Sequence, residues 1–157
     1  MGNSIIDLRS HSNPGKAPLE IVDIKATALE IPYPEEFRAA WRPHIVETSR
    51  PATIVQITTD DGIVGIGGSG RRDAALIRDF IAPQLIGQNP FALERHADLL
   101  RQAGGGWIVD MALCDIVAKA AGLPLCALWG VYQNRIRAYA SLVAARPVEE
   151  VPERALE

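Results

Sequence analysis

Apolar and polar positions alternate most regularly over Thr53-Ile-Val-Gln-Ile-Thr-Thr-Asp-Asp-Gly-Ile-Val-Gly-Ile-Gly67, with the two-residue period of a half-buried strand. Two runs rich in Ile, Val and Thr flank Asp61-Gly62, which predicts a β-hairpin turning on that dipeptide. Val55 and Ile57 share one face of the first strand, and Val64 and Ile66 are the apolar residues available on its partner. A lone hairpin is marginal in water. Ile21 to Ile31, closed by Pro32, supplies a third strand upstream.

Downstream the period changes from two to that of helices. Asp73 is placed to N-cap a first helix whose Leu76, Ile77, Phe80 and Ile81 recur at helical spacing until Pro83 breaks or kinks it; Gly87 ends it. A second helix is predicted from Asn89 as N-cap and Pro90 in its first turn, through Leu93, Leu99 and Leu100, to Gly104-Gly-Gly106. His96 on it reads as a surface or core histidine. A third helix, Trp107 to Ala121, is expected to turn Ile108, Met111, Ala112, Cys114, Val117 and Ala118 inward and to end at Gly122. Asp115 and Lys119 stand four apart on it and can pair. Strands first and helices after give an α+β class: a three-stranded antiparallel meander sheet followed by a helical bundle. A last strand-like run, Ile136 to Val143, has no antiparallel mate nearby, and residues 147–157 read as the start of a helix.

Composition narrows the function classes without choosing one. A chain of 157 residues is long enough to bury a core without disulfide staples. No apolar run approaches the ~20 residues that cross a bilayer, and the N-terminus lacks the apolar centre of a signal peptide, so the expected location is the cytoplasm. A net charge of −3 argues against nucleic acid as the main partner. Cys114 and Cys126 each stand among apolar neighbours and read as small buried thiols, not as a bridge or a metal clamp.

Two stretches carry candidate chemistry. Pro32 to Pro51 is far longer than a median connection of about 4–6 residues. It combines Tyr33, Phe37 and Trp41 with Arg38, Arg42, His44 and Arg50. That mixture suits a lid over an anionic ligand or, alternatively, a loop pinned to the core by its aromatics. Gly65-Ile-Gly-Gly-Ser-Gly70 formally matches G-x-G-x-x-G. A dinucleotide fingerprint belongs in a parallel βαβ unit, whereas this one follows an antiparallel hairpin, and Asn89-Pro90 stands where the acidic ribose ligand belongs. The glycines are read instead as a sharp exit from the strand that leaves Arg71 and Arg72 exposed.

Three motifs in order give the chain a family likeness. They are Thr58-Thr-Asp-Asp-Gly-Ile-Val-Gly-Ile-Gly67, Pro83-Gln-Leu-Ile-Gly-Gln-Asn-Pro90, and Asp110-Met-Ala-Leu-Cys-Asp-Ile-Val-Ala-Lys-Ala-Ala-Gly-Leu-Pro-Leu-Cys-Ala-Leu-Trp-Gly130. With Arg135-Ile-Arg-Ala-Tyr-Ala-Ser141 after them, the chain resembles the N-terminal portion of the mandelate racemase/muconate lactonizing enzyme family of the enolase superfamily. It departs from the common pattern at Gly68, where many members carry an acid, and at Cys114, where Trp is commoner.

The polar, Pro- and Gly-punctuated stretch His11-Ser-Asn-Pro-Gly-Lys-Ala-Pro18 predicts a flexible segment at 1–19, and the resemblance implies an enolase-like capping domain at 20–130 and the first strand and helix start of an incomplete TIM barrel at 131–157. It further implies a Mg²⁺-dependent acid-sugar dehydratase, racemase or cycloisomerase that abstracts a proton α to a carboxylate, with a carboxylate-bearing small molecule as substrate and a homo-oligomeric assembly. The family's metal ligands and bases lie on barrel strands, so no catalytic or metal residue is expected within this chain, and the chain alone is expected to be inactive. By position, Pro32–Pro51 and Gly68–Arg72 match the family's two capping loops, which makes Tyr33, Trp41, Arg42, His44 and Arg71 the expected substrate contacts. The alternatives are a non-catalytic binding module that keeps the capping fold, and a nucleotide-binding protein using Gly65–Gly70.

Overall fold

The computed structural model describes residues 19–133 and 135–139. Three strands, β1 (Ile21–Phe37), β2 (Glu47–Thr59) and β3 (Val64–Ser69), form an antiparallel sheet in the order β1-β2-β3. Four helical elements follow. A continuous helical run consists of α1 (Ala74–Leu76), a π turn (Ile77–Ile81) and α2 (Ala82–Leu85); then come α3 (Leu93–Gln102), α4 (Trp107–Ala121) and the single turn α5 (Leu125–Leu128). The α+β class and the meander are as the sequence predicts.

The hairpin turns where expected, but more widely than a two-residue loop. Gly62 alone takes a positive φ, +86°, and its N–H donates to Thr59 O at 3.0 Å, while Thr59 N donates to Ile63 O at 3.0 Å. The Thr59 hydroxyl braces this turn, donating to Asp61 Oδ1 and accepting from Ile63 N. Val55 and Ile57 are fully buried, yet their partners across the ladder are Gly67 and Gly65, and Ile66 faces out. Val64 and Ile66, the apolar residues available on β3, are therefore not what faces Val55 and Ile57: in the observed register that face of β3 belongs to glycine.

The physical reason is α4. A Cβ on Gly65 would stand 2.1 Å from Ala112 O, and one on Gly67 would stand 1.9 Å from Ile108 O. The helix backbone lies directly on β3, in space that only a residue without a side chain leaves free. Gly65 and Gly67 are thus part of the strand, and the exit comes only at Gly70. Because α4 sits so low, its inward face is also wider than predicted. Val109, Leu113 and Ile116 join Ile108, Ala112, Cys114 and Ala118 in burial, whereas Met111 is about half exposed and Val117 only partly buried.

The first helical run keeps Pro83 inside it. Ala82 N donates to Ile77 O, a five-residue span, so the turn before Pro83 is widened and the proline's missing N–H and ring are accommodated without ending the helix. This turn sets Ile77, Ile81 and Leu85 on the core side and leaves Phe80 exposed, contrary to the helical spacing read from sequence. Asp73 does precede the helix but makes no side-chain cap. Asn89 Oδ1 accepts from Phe91 N in a local turn, and α3 begins only at Leu93. His96 is a core residue, 2% exposed, with Nε2 2.8 Å from Asn89 O.

The core lies between one sheet face and the helices: Ile21, Ile24, Val55 and Ile57 against Ile77, Ile81, Leu85, Leu100, Ile108, Leu113 and Ile116. Cys114 is buried, but Cys126 is exposed, because α5 is a single turn on the surface with no buried residue. The strand expected at Ile136–Val143 is not formed over residues 136–139, where Ile136 and Tyr139 are almost fully exposed. The remainder of that run, the helix start at 147–157 and the N-terminal segment 1–18 lie outside the described residues.

Candidate functional site: a hairpin arm and the loop beside it

The long connection between Pro32 and Pro51 is mostly strand. β1 continues through Pro32 and Pro34 to Phe37, and β2 starts at Glu47, with Pro32 opposite Ser49 and Phe37 opposite Glu47. Prolines fit here because β3 ends at Ser69, opposite Thr53. Beyond that point the ribbon has two strands, each with an open side that needs no donor. The true loop is short, Arg38 to Val46, folded by Arg42 N to Ala39 O at 2.9 Å and Ile45 N to Arg42 O at 3.0 Å. At a rise of about 3.3 Å per residue, this tip stands roughly 20 Å beyond Glu30.

The tip carries three of the expected substrate contacts together. Trp41, Arg42 and His44 are all exposed, Trp41 at 65%. Arg42 is not an unoccupied cation, since its Nη2 lies 3.3 Å from Glu47 Oε1. Tyr33 sits lower on the arm, half-buried, its ring stacked on Phe37 with centroids 5.1 Å apart.

The second loop lies at the foot of the arm. Thr53, fully buried on β2, donates its hydroxyl to Arg71 O at 2.7 Å and accepts from Asp73 N at 3.1 Å. Ser69 Oγ donates to Asp73 Oδ2 at 3.0 Å and accepts from Arg71 N at 3.3 Å. Arg71 Nε is 3.7 Å from Asp73 Oδ1. Across the gap, Arg72 Nη1 donates to Glu30 Oε2 at 2.9 Å and Ser49 Oγ donates to Glu30 Oε1 at 2.8 Å. Glu30 bridges the arm and the second loop at this junction. The Ser49 hydroxyl, and after it the Arg72 guanidinium, hold its carboxyl below the usual range. Arg50 lies over Gly70, where a Cβ would come within 2.7 Å of its guanidinium.

Of the five expected contacts, the structure brings Trp41, Arg42 and His44 into one turn, with Tyr33 down the same arm and Arg71 near its foot. Sequence reading missed Thr53 and Glu30, which fix the second loop to the arm. An isolated Thr in a β-rich run signals only strand propensity, and the Glu30–Arg72 pair spans 42 residues. Among the described residues no group of three or more His, Cys, Asp or Glu could hold a metal ion.

The sequence model described as mandelate racemase/muconate lactonizing enzyme, N-terminal domain, matches residues 41–130. The chain belongs to that family. It is 35% identical over 112 residues to a D-galactonate dehydratase family member of Pseudarthrobacter chlorophenolicus, a match covering 60% of this chain and 27% of that protein. Its fold is similar to that of an enolase-superfamily member from Polaromonas sp. JS666, with a TM-score of 0.74 and 30% identity over 87% of this chain and 40% of the other. A solved structure from Roseovarius nubinhibens ISM complexed with magnesium matches with a TM-score of 0.69 and 26% identity, over 87% of this chain and 42% of that one. This mandelate racemase/muconate lactonizing enzyme N-terminal domain therefore spans about a quarter of the curated relative it matches.

Proposed function

We propose that residues 20–130 are the capping, substrate-selecting domain of a Mg²⁺-dependent enzyme that abstracts a proton α to the carboxylate of an acid sugar or similar small acid. The reading rests on one observation beyond family membership: the foot of the arm that carries the tip is tied to the 68–72 loop by Glu30, Ser49 and Arg72. They can thus close as a unit over a reaction centre supplied by a barrel domain. The likeness to a D-galactonate dehydratase family member favours dehydration among the possible reactions. Closure excludes water, which strengthens every electrostatic interaction at the reacting carbon. Trp41 provides apolar cover, while His44 and Arg71, with Tyr33 and Arg42 behind them, address hydroxyl and carboxylate groups.

The residues described here do not fit the metal. Glu30 and Asp73, the acids nearest the loops, are already engaged by Ser49, Arg72, Ser69 and Arg71. In this reading the metal ligands and bases belong to the barrel, which residues 131–157 would begin, and the chain alone turns nothing over. The exposed groove along α4 supports a larger assembly. It has a volume of about 760 Å³ and is lined by Ile66, Met111, Leu123, Leu125 and Trp129.

The test is to assay aldonic and aldaric acids with Mg²⁺ using this chain and using any gene product that carries it together with a barrel. Turnover is expected only from the longer product, with KM raised by about tenfold or more in Trp41→Ala, the equivalent of one good contact. A longer product whose KM is indifferent to removal of the whole 38–46 tip would refute the capping role.

A further inference from the structure

The foot of the arm brings together more guanidinium than carboxylate. Arg50, Arg71 and Arg72 meet there against two acids, Glu30 and Asp73. Arg72 is engaged by Glu30 through a 2.9 Å hydrogen bond, and farther up the arm Arg38 and Arg42 pair with Glu36 and Glu47. Arg50 pairs with no acid among the described residues. Arg71 reaches one only at 3.7 Å, beyond hydrogen-bond distance, and that carboxylate, Asp73, already accepts from Ser69 Oγ. The donors of both guanidiniums are therefore unengaged, and both side chains are exposed. Their placement is nevertheless fixed. Arg50 lies over Gly70, where a Cβ would stand 2.7 Å from its Nη2, so it is the missing side chain that gives it room. Arg71 is the next residue, pinned at both backbone groups: its N–H donates to Ser69 Oγ at 3.3 Å, and its C=O accepts from the buried Thr53 hydroxyl at 2.7 Å.

We propose that Arg50 and Arg71, which meet at Gly70, form a carboxylate-binding subsite at the foot of the arm, with Thr53 as the residue that positions Arg71. Two cations gathered at one glycine repel, and a carboxylate between them replaces that repulsion with charge-assisted hydrogen bonds. A planar guanidinium with its fork unengaged matches the two oxygens of a carboxylate, which a point charge does not. Thr53 acts on Arg71 through the backbone, so the cation is in place before the ligand arrives and little ordering is left for binding to offset. The substrate class follows by one step that rests on the capping reading. There the carboxylate at the reacting carbon lies in the barrel, so a carboxylate taken at the foot of the arm is a second one, and the substrate is a diacid.

The experiment titrates the 157-residue chain with D-glucarate, a diacid, at constant ionic strength, following the arginine Nε–H and the Gly70 and Arg71 amide signals by NMR. Saturable shifts in the millimolar range are expected, and none from D-glucitol, the uncharged analogue. Arg50→Gln and Arg71→Gln should each weaken binding about tenfold, the loss of one charge-assisted contact. Gly70→Ala should match Arg50→Gln, because the three atoms nearest the added methyl all belong to the Arg50 guanidinium, which can swing away without disturbing the fold. Thr53→Val should weaken binding and Thr53→Ser restore it, whereas Arg78→Gln, remote on the first helical run and paired with Asp79, should change nothing. Shifts that fail to saturate, that glucitol reproduces, or that are undiminished in Arg50→Gln and Gly70→Ala would overturn the subsite. None of these outcomes bears on the capping reading, whose own test is the 38–46 tip. The diacid assignment is read in a product that carries a barrel: Arg50→Gln is expected to raise KM about tenfold for glucarate and to leave that for gluconate unchanged. Equal effects on both would overturn it.

Discussion

Gly67→Ala adds one methyl group to the strand that α4 covers. The new Cβ would lie 1.9 Å from Ile108 O and 2.9 Å from Ile108 C, both backbone atoms, and 3.2 Å from Val55 Cγ1. Real Cβ contacts stay beyond 3.0 Å, so helix and strand must separate by at least 1.1 Å at this point. No rotamer change relieves a clash with a carbonyl. The separation loosens contacts that Ile108, Ala112 and Ile116 make with Val55 and Ile57, all fully buried. Overpacking of this kind costs about 1–3 kcal/mol. The methyl's own burial and its lower chain entropy return about 1 kcal/mol at most, and a net loss of about 2 kcal/mol is expected. Gly68→Ala is the matched control. Its Cβ would meet only Thr53 O, at 3.8 Å, so the entropy gain stands alone and stability should hold or rise by about 0.5 kcal/mol. Urea denaturation followed by circular dichroism measures both, with an unchanged slope showing that the unfolded state is not the source of the difference. If Gly67→Ala and Gly68→Ala unfold at the same midpoint, α4 does not rest on the β3 backbone as described.

Three further outcomes follow from the site and the core. Thr53→Val keeps the shape of a buried side chain but strands Arg71 O and Asp73 N; a loss of about 1–3 kcal/mol is expected, with faster exchange of the Asp73 amide. Glu30 has a folded pKa below its ordinary 4.5, so its tie is present above that value and is lost as pH falls through the lowered one. A carboxyl NMR titration should show Ser49→Ala and Arg72→Gln each raising it toward 4.5; a titration unmoved by Ser49→Ala would remove that hydroxyl as its partner. Burial, and after it the Asp110 carboxylate, push the Cys114 thiol up. A thiol reagent near neutral pH should therefore label only the exposed Cys126 in the folded chain and both cysteines after unfolding.

The expected and observed site overlap in a particular way. Trp41, Arg42 and His44 fall together because they are neighbours on one tip, which sequence proximity alone ensures. Arg42 being neutralised by Glu47, and Glu30 linking the arm to Arg72, depend on strand pairing across the arm and on a loop 42 residues away. The loop is shorter than its sequence suggests for a related reason. Pro32, Pro34 and Pro51 look like strand breakers, yet they stand where a two-stranded ribbon has an open side, and only the position at which β3 stops reveals that.

What the sequence determined by itself was local and periodic. The β2–β3 alternation, the Asp61-Gly62 turn, the order of strands before helices, and the span of α4 from Trp107 to Ala121 all follow from side-chain period and from glycine at a left-handed turn. Tertiary structure decided which face each element shows. Gly65 and Gly67 are buried and Ile66 is not, because a helix backbone occupies the space beside them. Ile77 and Ile81 point inward and Phe80 does not, because a widened turn absorbs Pro83. Asp115 and Lys119 seal a strand edge more than 45 residues away in the chain. Period is a property of neighbouring residues, whereas face, edge and close approach are properties of the surfaces that meet. No stretch of this chain carries both of its surfaces.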